Sequence, residues 1–129
     1  MDASQLNEQV KTTYLRTFNT PDGESHIEEV DMALLDTGAG DARSKPFSAR
    51  SLSFRRAPAG RFVDWHPAPR AQFIITLHGE QEIEMSDGEK RLIGPGDILL
   101  ATDTEGKGHI MRGVGSEERL SVTIPLNLG

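Results

Sequence analysis

An all-β fold is predicted by three features of the 129-residue sequence. Short runs able to form strands recur from Ser48 to Ile124, Gly, Pro and Asp separate them, and the Ser86-Asp87-Gly88 segment suits a tight turn between two of the runs. Short strands at such spacing belong to an antiparallel sandwich or a small barrel.

The elements follow in order. Residues 1–13 are a polar lead in which Leu6 and Val10 stand at helical i, i+4 spacing, so a short helix or a flexible segment is expected. Residues 14–47 hold two strands, Tyr14–Phe18 and Ile27–Leu35, joined by Asn19-Thr20-Pro21-Asp22-Gly23, whose residues favour turns. The polar, glycine-bearing stretch Thr37–Pro46 is expected to be a mobile loop. The barrel proper, residues 48–129, contains the runs Ser48–Arg56, Arg61–Trp65, Gln72–Leu77, Glu80–Met85, Glu89–Ile93, Ile98–Ala101, Ile110–Val114 and Glu118–Ile124. Gly94-Pro95-Gly96-Asp97 turns the chain into Ile98–Ala101, completing a meander from Gln72 to Thr102. The whole chain is expected to be one domain.

Composition excludes several functions. With 14 Lys+Arg against 20 Asp+Glu the net charge is −6, and no basic run exceeds Arg55-Arg56, which argues against nucleic-acid binding. The absence of cysteine removes thiol nucleophiles, thiolate zinc sites and disulfides, and makes a cytoplasmic location the expectation. No apolar stretch approaches the roughly 18 residues of a membrane span, and the N-terminus has no basic flank followed by an apolar segment. Gly106-Lys107-Gly108 lacks the flanking residues of a phosphate-binding loop, and no serine has the partners of a hydrolytic triad. No catalytic residue is assigned.

Of the four histidines, His66 ends one predicted strand and His109 opens another. Gln72 begins the strand after His66, so the two side chains are expected to project from adjacent strand ends into one cavity. The frame Gly60, His66, Ala68, Gln72, Gly79 resembles the first motif of the cupins, a jelly-roll superfamily, with Ala68 and Gln72 at positions usually held by His and Glu. Gly96, Thr102 and His109 resemble the second motif. The motif region spans residues 60–113, less than half of the chain.

The resemblance implies a double-stranded β-helix, the cupin jelly-roll barrel, and carries His66, Gln72 and His109 onto the metal-ligand positions, where one divalent transition ion (Mn, Fe, Ni or Zn) would sit. Two imidazoles and an amide leave a dication's charge uncompensated, so affinity is expected to be weak unless water, Asp103 or Glu105 contributes. Equally open is a metal-free barrel in which both histidines act as hydrogen-bonding pocket residues. Period-2 alternation would place Phe62, Asp64, Ile74, Thr76 and Met111 inward, lining a substrate pocket, with His26 either a solvated turn residue or at the pocket edge. Trp65 is expected on the opposite face. His78, at the far end of its strand, is expected at the rim, and Glu80, Glu82 and Glu84 on a solvated face. The expected function is binding of a small organic molecule, with metal-assisted oxygenase, lyase or isomerase chemistry as the range the resemblance implies, or binding without catalysis. A homodimer is expected, because the edges of Tyr14–Phe18 and Ile27–Leu35 need cover.

Overall fold

The computed structural model describes residues 10–127; Leu6, half of the helical spacing noted above, lies outside them. Twelve strands follow one another without a helix among the described residues: β1 (Thr13–Asn19), β2 (Ser25–Asp31), β3 (Leu35–Asp36), β4 (Ala42–Arg43), β5 (Ser53–Ala57), β6 (Phe62–His66), β7 (Gln72–His78), β8 (Glu80–Met85), β9 (Lys90–Ile93), β10 (Ile98–Ala101), β11 (His109–Val114) and β12 (Arg119–Pro125). A six-stranded sheet in the order β2-β1-β10-β7-β12-β5 faces a four-stranded sheet in the order β6-β11-β8-β9. Pairing is antiparallel except between β1 and β10. This is a jelly-roll arrangement, with sequence-distant strands interleaved in both sheets.

Turn chemistry sets the connections. In the β8–β9 hairpin the Met85 N–H donates to the Glu89 carbonyl at 2.9 Å, and Gly88 takes φ +92°, a conformation that costs glycine no Cβ contact. Before β10, the Asp97 carboxylate accepts the Gly94 N–H at 2.8 Å while the Asp97 N–H donates to the Gly94 carbonyl at 3.0 Å. The segment 37–46 is not featureless: β3 and β4 pair as a small hairpin, closed by Thr37 bonding Asp41.

The apolar core lies at one end between the sheets, where Leu15, Ile27, Ile83, Met85, Ile93 and Leu99 pack together and Ile74 and Met111 adjoin them. Burying each such side chain contributes about 1.5–3 kcal/mol. Toward β5 and β12 the inner face turns polar, carrying Arg55, Arg119, Ser121 and Thr123, and the sheets there enclose a cavity instead of a packed core. β1 is interior, bonded to β2 and β10, so only β2 and β5 are edges of the large sheet; the exposed β1 edge expected from the sequence is covered by β10, a parallel partner that local patterning does not reveal.

Candidate functional site

The cavity has a volume of about 250 Å³, just below the roughly 300–1,000 Å³ range of drug-sized ligand sites. His66, Gln72, Ile74, His109 and Met111 all line it, as does Ala68. His66 and His109 are direct partners in the β6–β11 ladder, with ring centroids 4.6 Å apart. Two glycines of the motif region let the backbones come close enough for this. A Cβ on Gly108, whose φ is +71°, would overlap the His66 carbonyl, and one on Gly113 would lie 2.8 Å from the Gly60 nitrogen.

Both imidazoles are oriented from behind. His109 Nδ1 lies 2.5 Å from a carboxylate oxygen of Asp103, which is fully buried and also accepts the Thr17 hydroxyl at 2.7 Å. His66 Nδ1 lies 2.7 Å from the carbonyl oxygen of Asp64. Each acceptor is met by a proton on Nδ1, which in the neutral imidazole leaves Nε2 as a lone-pair acceptor for whatever enters. Gln72, the third predicted residue, shares the cavity and adds an amide.

Four predicted pocket residues are placed elsewhere, and one cause explains two of them. Between Met111 and His109 the facing strand advances two residues, while β6 advances three from Val63 to His66. The extra residue is a β-bulge, which resets the alternation. Asp64 folds its carboxylate onto the Trp65 N–H at 2.8 Å, and Val63 and His66 face inward together. Phe62 and Asp64 consequently turn outward, Phe62 under the Arg112 guanidinium at 5.8 Å. Thr76 is buried but lies farther along β7, outside the cavity lining. His26 is remote from the lining: it bridges Thr20 at 3.0 Å and Asp87 at 2.9 Å beside the β8–β9 turn. His78 pairs with Glu117 at the surface at 3.1 Å, and Glu82 and Glu84 bind Arg112 at 3.3 and 2.7 Å. Trp65 is outside the cavity lining as well.

The sequence reading missed the arginines. Arg55, Arg61 and Arg119 line the same cavity, with Gln81. Burial and the charges of Arg55 and Arg61 hold the Arg119 guanidinium below its ordinary pKa, and burial with Arg61 does the same for Arg55. A legible signal existed. In Arg119-Leu120-Ser121-Val122-Thr123-Ile124 the polar set alternates strictly with the apolar set, and the neighbouring Ser53 and Arg55 share its parity. Two adjacent strands with the same polar face mark a polar interior.

The profile of the AraC-like ligand binding domain matches residues 48–105, which include β5 to β10 and the first-motif residues. The interleaved two-sheet topology is that of a jelly roll, and the match agrees with it. The match covers 58 of the 129 residues, under half of the chain, and what it shows is a similarity to that ligand-binding domain. Among solved structures, an RmlC-like cupin protein from Desulfovibrio desulfuricans is similar at 16% identity over 97% of this chain and 96% of that one, with a TM-score of 0.43. The Cnp3 cupin domain of Schizosaccharomyces pombe is similar at 12% identity over 95% of this chain and 88% of that one, with a TM-score of 0.44. No curated protein matches the sequence significantly. No helix among the described residues is long and apolar enough to cross a membrane.

The metal that many cupins carry does not suit this donor set. His66, His109 and Gln72 supply no negative charge, Ala68 occupies a ligand position, and the Asp103 carboxylate is turned to His109 Nδ1 and Thr17. Among the described residues no group of three or more His, Cys, Asp or Glu is placed to hold an ion.

Proposed function

We propose that this protein binds a small organic molecule inside the barrel and holds it with protein groups, not through a metal. The reading rests on one observation: both histidines are held by their Nδ1 atoms, so that their Nε2 acceptors share a cavity with Gln72 and an apolar wall of Val63, Ile74, Leu99 and Met111. A concave site that combines an apolar wall with fixed polar groups is the form of a small-molecule pocket, and the matched ligand-binding profile supports the same reading. Oxygenase, lyase or isomerase chemistry of the metal-assisted kind lacks an anionic ligand here, so no catalytic step is assigned. Heat-denaturing untagged protein and analysing the supernatant by mass spectrometry should release a small molecule from the parent. An Ala101→Phe variant, filling the cavity wall, should release none; equal release from both would place the ligand elsewhere.

We further propose a homodimer in the cytoplasm, joined through the outer face of the six-stranded sheet. Phe54 on β5 is 73% exposed, and Leu77 on β7 and Leu120 on β12 continue an apolar strip beside it. Apolar strips of this kind are covered by partners, and a second copy offers the same strip in return. Light scattering at micromolar concentration should give about twice the chain mass of 14.1 kDa for the parent. Phe54→Glu should give the monomer; a monomeric parent would end the proposal.

A further inference from the structure

Resting on the small-molecule reading, the chemical class of the ligand follows from the two ends of the cavity. Arg61 precedes β6 and His66 closes it, five residues apart, or about 15 Å at strand rise. Arg119 begins β12 beside the His78 end of β7, whereas Gln72 lies at the opposite end of that pair, against Pro125. Arg55 on β5 pairs with Ser121. The guanidinium-bearing residues therefore cluster at one end, and His66, Gln72 and His109 at the other.

The arginine end is built and uncompensated. Arg119 is 9% exposed, and its Nε, buried, has no hydrogen-bond partner. Gly79, at φ +80°, makes room for it: a Cβ there would meet Arg119 Cγ at 2.8 Å. No Asp or Glu lines the cavity, and among the described residues Arg55, Arg61 and Arg119 form no ion pair, although five other arginines do. Arg119 is buried, Arg61 half-buried and Arg55 exposed on the edge strand; cations gathered around a buried one without a carboxylate are unfavourable unless an anion joins them. Gln81 adds a buried amide oxygen, also without a partner, on the same lining. At the other end, the Nε2 acceptors of His66 and His109 call for a donor, which a hydroxyl supplies.

We propose that the cavity takes a small hydroxylated organic anion, its carboxylate or phosphate among Arg55, Arg61 and Arg119 and its hydroxyl groups at His66, Gln72 and His109. Bidentate guanidinium pairing suits either oxyanion.

Calorimetry on the full chain at constant ionic strength, set with sodium chloride, tests the assignment with gluconate, glucose 6-phosphate and sorbitol. At least one of the two anions should bind, with sorbitol at least tenfold weaker, and the stronger anion identifies carboxylate or phosphate as the head group. The Arg61→Gln, Arg119→Gln double variant should lose at least tenfold in anion affinity, and Arg43→Gln, on the exposed β3–β4 hairpin, should lose none. Removing two unpaired cations relieves repulsion, so the double variant should melt at or above the parent temperature in chloride; if it fails to fold, Arg55→Gln on the edge strand serves for the same comparison. Failure of both anions to bind, or equal binding by the variant, overturns the anion assignment. Sorbitol binding as tightly as the anions, and losing that affinity in a His66→Ala, His109→Ala variant, overturns the anion assignment while the small-molecule reading stands. No probe binding and no molecule released on denaturation ends both.

Discussion

Gly108→Ala is expected to destabilise the fold by more than about 3 kcal/mol, at the exceptional end for a single substitution. Two costs coincide. The residue sits at φ +71°, where an L side chain costs about 1–2 kcal/mol. The new Cβ would also overlap the backbone of His66 and Pro67, atoms that no rotamer change can move aside. Relief requires β6 and β11 to separate where His66 and His109 pair, so the ligand site should be lost with the stability. Gly88→Ala is the control: its φ of +92° is equally unsuited to alanine, but nothing lies within 4 Å of the added atom. It should cost only the conformational part, about 1–2 kcal/mol. Urea denaturation of the three proteins measures both, and equal losses would show that close approach at Gly108 contributes nothing.

Asp103→Ala is expected to cost about 3 kcal/mol, because it strips the acceptor from two buried donors, the Thr17 hydroxyl and His109 Nδ1. The functional loss should be larger than the loss from distant destabilisation. Without the carboxylate, the His109 ring is free to change tautomer and rotate, and its Nε2 no longer presents a fixed acceptor. Asp103→Asn keeps the shape and one acceptor oxygen, and should recover most of the stability. Thermal unfolding together with calorimetric titration separates the two effects; an Asp103→Ala variant that binds ligand like the parent would remove His109 orientation from the account.

The strand pattern was legible because Gly, Pro and Asp separate the runs so regularly that Glu80–Met85 and Ile98–Ala101 coincide with observed strands. His66, Gln72 and His109 were legible as a group because each stands at a strand end, and all three line the one cavity. Phe62 and Asp64 were misplaced for a local reason. Period-2 alternation holds only while a ladder is regular, and the bulge at Asp64–Trp65 depends on the facing strand β11, more than 40 residues away. The arginines were hidden differently. Charged residues in strands are ordinarily read as solvent-facing, yet on β12 the apolar Leu120, Val122 and Ile124 take the outer face and Arg119 the inner one. That inversion follows from the apolar outer face of the six-stranded sheet, which alternation alone reads as the inner one.

If the barrel holds an organic molecule by its own side chains, the purified protein carries that molecule and little metal. Native mass spectrometry of untagged protein, purified without chelator, with metal analysis of the same sample, tests it most directly. An added organic mass on the chain and well under one transition-metal ion per chain are expected. One tightly held metal ion per chain, retained after dialysis and lost in a His66→Ala, His109→Ala variant, would contradict it.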